Sequence, residues 1–175
     1  MGGEYLSAFD KDGNFVGEIE KGEAHFGNPG VYHKAVWIWI FNPTTKEMLV
    51  QRRSKNMSSP RKWDFPSAGH VDFGEDLLAT CVRETKEELG LDIAAERFEF
   101  LFTYTKHEGW EFGETFLLED STPTSEMTLD PHEVEEVKWL PWGEFKKLFY
   151  SDKFVAHAKE YKDRVCEIFT TRFGL

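Results

Sequence analysis

The spacing of apolar residues changes period several times along this 175-residue chain. The stretch HKAVWIWIFN (33–42) is apolar on both faces, which predicts a strand at the centre of a sheet. The polar turn NPTTKE follows it, and MLVQRRS (48–54) reads as the return strand. Farther on, RFEFLFTYT (97–105) alternates, with Phe98, Phe100, Phe102 and Tyr104 expected on one side. EFGETFLLE (111–119) and EVEEVKWL (133–140) predict two more strands. Pro66 argues against a long regular strand in WDFPSAGHV. From Glu75 to Leu89 the period shifts: Leu77, Leu78, Cys81, Val82 and Leu89 recur at helical spacing, with Thr85 filling a gap. Gly90 then suits a left-handed helix stop. PWGEFKKLFY predicts a helix from Pro141, and another is expected over about 151–170. Near the start, NFVGEIEKGEAH reads as a strand or hairpin arm, and GNPG as a turn. Mixed strands with two or three helices predict an α/β (or α+β) sandwich around a mixed sheet, built as one domain over 1–175.

Composition narrows the functional classes. Acids outnumber Lys and Arg by 32 to 21, for a formal net charge of −11. That balance argues against nonspecific nucleic-acid binding and against an anionic membrane surface. An anionic small molecule stays compatible if local cations receive it. No apolar run reaches membrane-span length, and MGGEYLSAF lacks the charged-then-apolar pattern of a signal peptide. Two cysteines, Cys81 and Cys166, make neither a CxxC nor a disulfide framework, and a reducing cytoplasmic setting is expected.

One stretch strains against local physics. RETKEE places Glu84, Glu87 and Glu88 at i, i+3 and i+4, so three carboxylates share one helix face. They also crowd the last helical turn, where the backbone dipole prefers cations. A solvated surface turn is one reading. A site for a hard divalent cation is the other, since oxygen clusters suit Mg²⁺ and Mn²⁺.

The surrounding spacing bears on that choice. Gly69, five residues, Glu75, seven residues, Arg83-Glu84, two residues, Glu87-Glu88, one residue, Gly90-Leu91 resembles the Nudix box, G-x5-E-x7-R-E-U-x-E-E-x-G-U, where U is bulky and apolar. All its fixed positions match; Thr85 departs mildly from the preferred aliphatic. The resemblance covers about 32–150, leaving an N-terminal arm (1–31) and a C-terminal helical extension (151–175). It implies an α/β/α sandwich that hydrolyses a nucleoside diphosphate derivative or similar organic diphosphate with Mg²⁺, or Mn²⁺. It further implies Glu84, Glu87, Glu88 and the main-chain carbonyl of Ala68 as metal ligands, and Arg83 with Glu75 as an orienting ion pair. The general base varies across the family. Glu114, Glu133, Glu135 and Glu136 are candidates outside the box, with Glu114 favoured because its strand is expected beside the site. A small-molecule partner follows, and many relatives pair as homodimers.

A second likeness lies within the first. AHFGNPGVYHKAVW, MLVQRRS and PRKWDFPSAGH are similar to parts of type I isopentenyl diphosphate isomerase, a Nudix-fold enzyme. That family binds metal through histidines, and His25, His33 and His70 are the matching positions. Its catalytic cysteine falls where this chain has Ala68, which cannot transfer a proton. The framework thus resembles an isomerase and the chemistry a hydrolase. Arg52, Arg53, Lys55, Arg61 and Lys62 form a basic cluster just before the box, read either as phosphate contacts or as a solvated loop. Strand alternation lets only one of Arg52 and Arg53 reach a pocket. Trp63, Trp110 and Phe112 are candidates to stack on a substrate, although aromatic strand residues more often fill a core.

Overall fold

A computed structural model describes residues 4–24 and 28–175. Among the described residues, nine strands and three α-helices run in the order β1 (Tyr5–Phe9), β2 (Phe15–Glu20), β3 (His33–Asn42), β4 (Glu47–Arg53), β5 (Trp63–Asp64), β6 (Ser67–His70), α1 (Leu77–Leu89), β7 (Phe98–Lys106), β8 (Glu111–Glu119), β9 (Val134–Pro141), α2 (Trp142–Phe149) and α3 (Lys159–Phe173). β1 and β2 form a separate antiparallel hairpin.

The main sheet is mixed. Its centre is the parallel pair β3–β8, and β7 joins β8 antiparallel. β3 pairs β4 only at its far end, through Phe41–Met48 and Asn42–Glu47. β4 then continues along β9 and β5, while the first half of β3 takes β6 as its partner. The sheet therefore forks between β3 and β4, and both branches line the main cavity.

Alternation along β3 divides the core. Ala35, Trp37, Trp39 and Phe41 face α2 and α3, where Trp39 meets Phe145, Phe149 and Phe154. Val36, Ile38 and Ile40 face the other way, packing with Cys81 and Leu89 of α1. Helices on both faces of one sheet make the expected α/β/α sandwich.

Three local departures from the sequence pattern have physical causes. In β7 the register slips between Phe100 and Phe102, a β-bulge. Phe98 therefore packs on the α1 side and Phe102 on the opposite side, while Phe100 is 50% exposed; the four aromatic residues do not share a face. The last helix begins at Lys159, not near 151. Before it, the chain lies extended beside β5: the Trp63 N–H donates to the Lys153 carbonyl at 2.9 Å, and the Val155 N–H to the Trp63 carbonyl at 2.8 Å. The backbone groups on that edge of β5 require partners, and this segment supplies them. Finally, β1, absent from the sequence expectation, completes the hairpin with β2.

Candidate functional site

Helix α1 starts where Asp76 caps it, the carboxylate accepting the Ala79 N–H at 2.9 Å. It stops at Gly90, whose φ of 71° is the left-handed conformation that glycine adopts without penalty. Between these ends, Arg83 is held by the loop in front of the helix. Its Nη2 donates to Glu75 at 2.8 Å and to the His70 carbonyl at 3.0 Å, and its Nε donates to Glu75 at 3.0 Å. The expected Arg83–Glu75 ion pair is therefore formed. Its Nη1 reaches Glu84 at 2.6 Å and Glu87 at 3.3 Å, so one guanidinium ties the loop to the acidic face. The Glu75 hydrogen bond, ahead of the nearby Glu84, raises the Arg83 pKa and keeps it charged.

The box acids have different surroundings. Glu84 is buried against Gly69: a Cβ at position 69 would lie 1.9 Å from the Glu84 carboxyl carbon, so the close approach requires glycine. Burial pushes Glu84 up to about 7 although Arg83 opposes the shift. Glu88 is also buried and accepts hydrogen bonds from the Gln51 side chain at 2.6 Å and the Ala68 N–H at 3.1 Å. Burial raises its pKa too, and Glu84 and Glu133 add repulsion. Glu87 is exposed. Arg83 thus holds Glu84 and Glu87, while Glu88 and Glu133 lie close enough to Glu84 to repel one another. An all-oxygen donor set with surplus negative charge fits a hard divalent cation.

A cavity of about 390 Å³ connects this acidic face to the interior. Glu84, Glu87, Arg83, Ala68, Gly69 and Glu133 line one part. Arg53 also lines it, anchored by Asp64 at 2.5 Å and by the Ser58 carbonyl at 2.7 Å. Arg52 points elsewhere and pairs with Glu135 and Glu136 at 3.4 and 2.9 Å, so only one of the two arginines reaches the cavity. Those two glutamates are outside it as well. Arg61 lies on the surface near Glu135, in a separate shallow pocket. Trp63 is buried in the core under the Lys138 ammonium, 4.1 Å from its ring centre, and is not a cavity residue. Trp110 and Phe112 pack on Tyr32 outside the cavity.

Glu114 is not brought to the site. It pairs with Val36 in register, on the face opposite Ala35 and Trp37, where it accepts from Thr103 at 2.6 Å and pairs with Lys34 at 3.2 Å. The expected strand does run beside the site, but strand alternation turns this side chain away. Glu133, at the start of the loop-to-strand segment leading into β9, takes the position beside the box acids.

The same alternation exposes a residue that sequence reasoning missed. Glu111 is opposite His33 in register, and His70 pairs with Ala35. His33 Nε2 is 3.2 Å from Glu111 Oε2, and His70 Nε2 is 4.0 Å from it. One donor atom from each of these three residues lies within 4.8 Å of the others, a spacing that a metal ion can bridge. Burial alone would raise Glu111, but the His33 hydrogen bond and the charges of His33, Lys106 and His70 lower it to about 2. Only the Glu111-to-His33 register could have revealed this grouping. His25, the third expected histidine, lies outside the described residues.

A family model described as NUDIX domain matches residues 31–161. The chain belongs to the NUDIX domain family. Nudix hydrolase 3 of Arabidopsis thaliana is 34% identical over 158 residues, a match spanning 83% of this chain and 20% of that longer protein. An isopentenyl-diphosphate Delta-isomerase of Aliivibrio fischeri is 29% identical over 150 residues, covering 81% of each. A crystal structure from Deinococcus radiodurans superposes with a TM-score of 0.72 at 18% identity, covering 96% of this Nudix chain and 98% of that one. Both likenesses expected from the sequence, to Nudix hydrolases and to the isomerase, are thus present among its relatives. Among the described residues, no helix is long and apolar enough to cross a membrane.

Proposed function

We propose that this Nudix chain hydrolyses the diphosphate linkage of a small organic or nucleoside diphosphate with Mg²⁺ or Mn²⁺. The observation that carries this reading is the convergence of Glu84, Glu87 and Glu133 at a cavity that also presents Arg53, with Glu88 buried beside Glu84 behind them. Glu84, Glu87 and Glu88, with the Ala68 carbonyl, would hold the cation. When bound, the cation neutralises diphosphate charge and polarises water. Arg83 keeps the acidic face pinned to the box loop through Glu75. Arg53, braced by Asp64, presents a guanidinium to a phosphate oxygen. Glu133 is the acid beside the ligand set best placed to accept a proton from attacking water. Substrate and metal are tested together by measuring phosphate release from a panel of diphosphates, after phosphatase coupling, across a Mg²⁺ and Mn²⁺ titration. Release from no member of the panel would defeat the reading.

The second reading is an isomerase-like activity on a prenyl diphosphate, and the His33–His70–Glu111 group favours it. Its mixed nitrogen and oxygen donors suit Mn²⁺ or another transition metal better than Mg²⁺. Against it stands Ala68, which offers no proton-transfer group. Incorporation of deuterium from D₂O into a prenyl diphosphate separates this reading from hydrolysis. A diphosphate-binding module without turnover would show calorimetric binding and neither product.

A further inference from the structure

The cavity wall contributed by the C-terminal segment carries an unusual polar group. His157 lines the cavity from the extended stretch before α3. Its ring packs 4.8 Å from Phe65, 5.4 Å from Trp37 and 5.4 Å from Tyr161, centre to centre. Phe65, Trp37 and Val155 line the same part of the cavity. Within this apolar setting, His157 Nε2 is shut off from solvent and has no hydrogen-bond partner, so the ring meets a ligand through Nδ1, or through Nε2 after a half-turn about its axis. Burial, then the charges of Lys106 and Lys162, pull the imidazole down to about 3, so it is neutral at physiological pH. A neutral imidazole has one N–H donor and one lone pair to offer.

Lys106, at the end of β7, also lines the cavity and forms no ion pair among the described residues. Arg53 is braced by Asp64, and Arg83 is committed to the box acids. Lys21, which also lines the cavity, is paired with Glu4 at 2.8 Å, so Lys106 is the cavity cation best able to follow an incoming anion. A wall meant only for hydrocarbon would be served better by an apolar side chain, because an unpaired buried polar atom carries a desolvation penalty.

We propose that His157 is a specificity-determining residue that hydrogen-bonds an oxygen or nitrogen on the organic group of the substrate. With it, the cavity selects polar organic diphosphates over hydrocarbon ones, and Lys106 attracts the charged end of the same molecule. This deepens the reading of the cavity as a diphosphate site and rests on it. A substrate without the polar atom leaves His157 unpaired in the complex, the situation in which binding sites discriminate most strongly.

The test uses two methylene-bridged diphosphonates of equal chain length, one ending in a hydroxyl and one in a methyl group. Their affinities are measured by calorimetry with Mg²⁺ on the full chain. Wild type should bind the hydroxyl compound about tenfold or more tightly. The ratio should fall to about 1 in His157→Phe and His157→Leu, with the thermal midpoint monitored to show that each variant folds. His157→Gln, which keeps a hydrogen-bonding group, should retain most of the preference. Equal affinities in wild type, or an unchanged ratio in a folded apolar variant, overturn the proposal. Turnover is measured separately: preference without phosphate release from any diphosphate would remove the hydrolase reading and leave His157 recognition standing.

Discussion

The chain builds two clusters of side chains with the chemistry to ligate a metal, and it builds them by opposite routes. Glu84, Glu87 and Glu88 come from one helical turn, and their grouping follows from a spacing of three and four residues. His33, His70 and Glu111 come from three strands and meet only because β6 and β8 both pair with β3. The helical cluster is all oxygen, repels itself and is stitched to its loop by Arg83. The strand cluster is mixed, and its acid is drawn down by neighbouring histidines and Lys106. The difference teaches that a local cluster can tolerate mutual repulsion because one short segment holds it in place. A cluster assembled across a sheet is held by strand register.

Several measurements can break or sharpen that contrast. The largest effect belongs to the helical acids: Glu84→Gln or Glu88→Gln should lower phosphate release by about 1000-fold or more, the loss of several kcal/mol of cation-derived stabilisation. If His33→Ala costs more than either, the two clusters have exchanged importance. Next comes Gly69→Ala. The added methyl must displace the Glu84 carboxyl or the strand, and a shift of about 1 Å at a reacting centre can cost up to about 100-fold in kcat. Arg83→Ala should lower the thermal midpoint, since about 1–3 kcal/mol of charge-assisted hydrogen bonding to Glu75 and the loop is lost. Arg83→Lys should recover only part, because a point charge cannot reproduce the fork.

Glu111→Gln is expected to act mainly on metal content. Plasma emission spectroscopy on Mn²⁺-loaded protein should show one fewer ion per chain, with hydrolysis falling less than for the helical acids. Unchanged stoichiometry would remove the strand cluster as a metal position. The smallest effect concerns stability against pH. The folded His157 pKa of about 3 lies below the ordinary value of 6.5, so below 6.5 the unfolded chain binds a proton that the folded chain refuses. Stability from this group is therefore constant above pH 6.5 and declines toward pH 3, by at most about 1.4 kcal/mol per pH unit. His157→Phe should flatten that part of a denaturation-against-pH curve; an identical slope would show that the imidazole titrates normally.

Legibility followed the same division. Helix α1, its glycine stop and the Arg83–Glu75 pair were readable because their partners lie within 21 residues in sequence, from Gly69 to Gly90. Strand β3 was readable as central because it is apolar on both faces. The choice between Glu111 and Glu114 was not, since both lie on one strand and only the packing of β8 against β3 decides which face meets the cavity. The same holds for Arg52 and Arg53: alternation said that one would turn inward, and the β4–β9 pairing with its bulge at Arg52–Arg53 decided which. Phe100 reads like its neighbours, but the bulge in β7 leaves it in solvent.

By itself, the sequence determined the family, the sandwich, the acidic helix and the oxygen chemistry it offers. These rest on short-range spacing, and an α-helix or a strand converts spacing directly into a shared face. Tertiary structure alone decided that Glu133 and not Glu114 joins the box acids, that Glu111 meets His33 and His70, and that the segment before α3 carries His157 to the cavity wall. Each depends on strand register or on an edge of β5 needing hydrogen-bond partners, and both are fixed only when distant parts of the chain pack together.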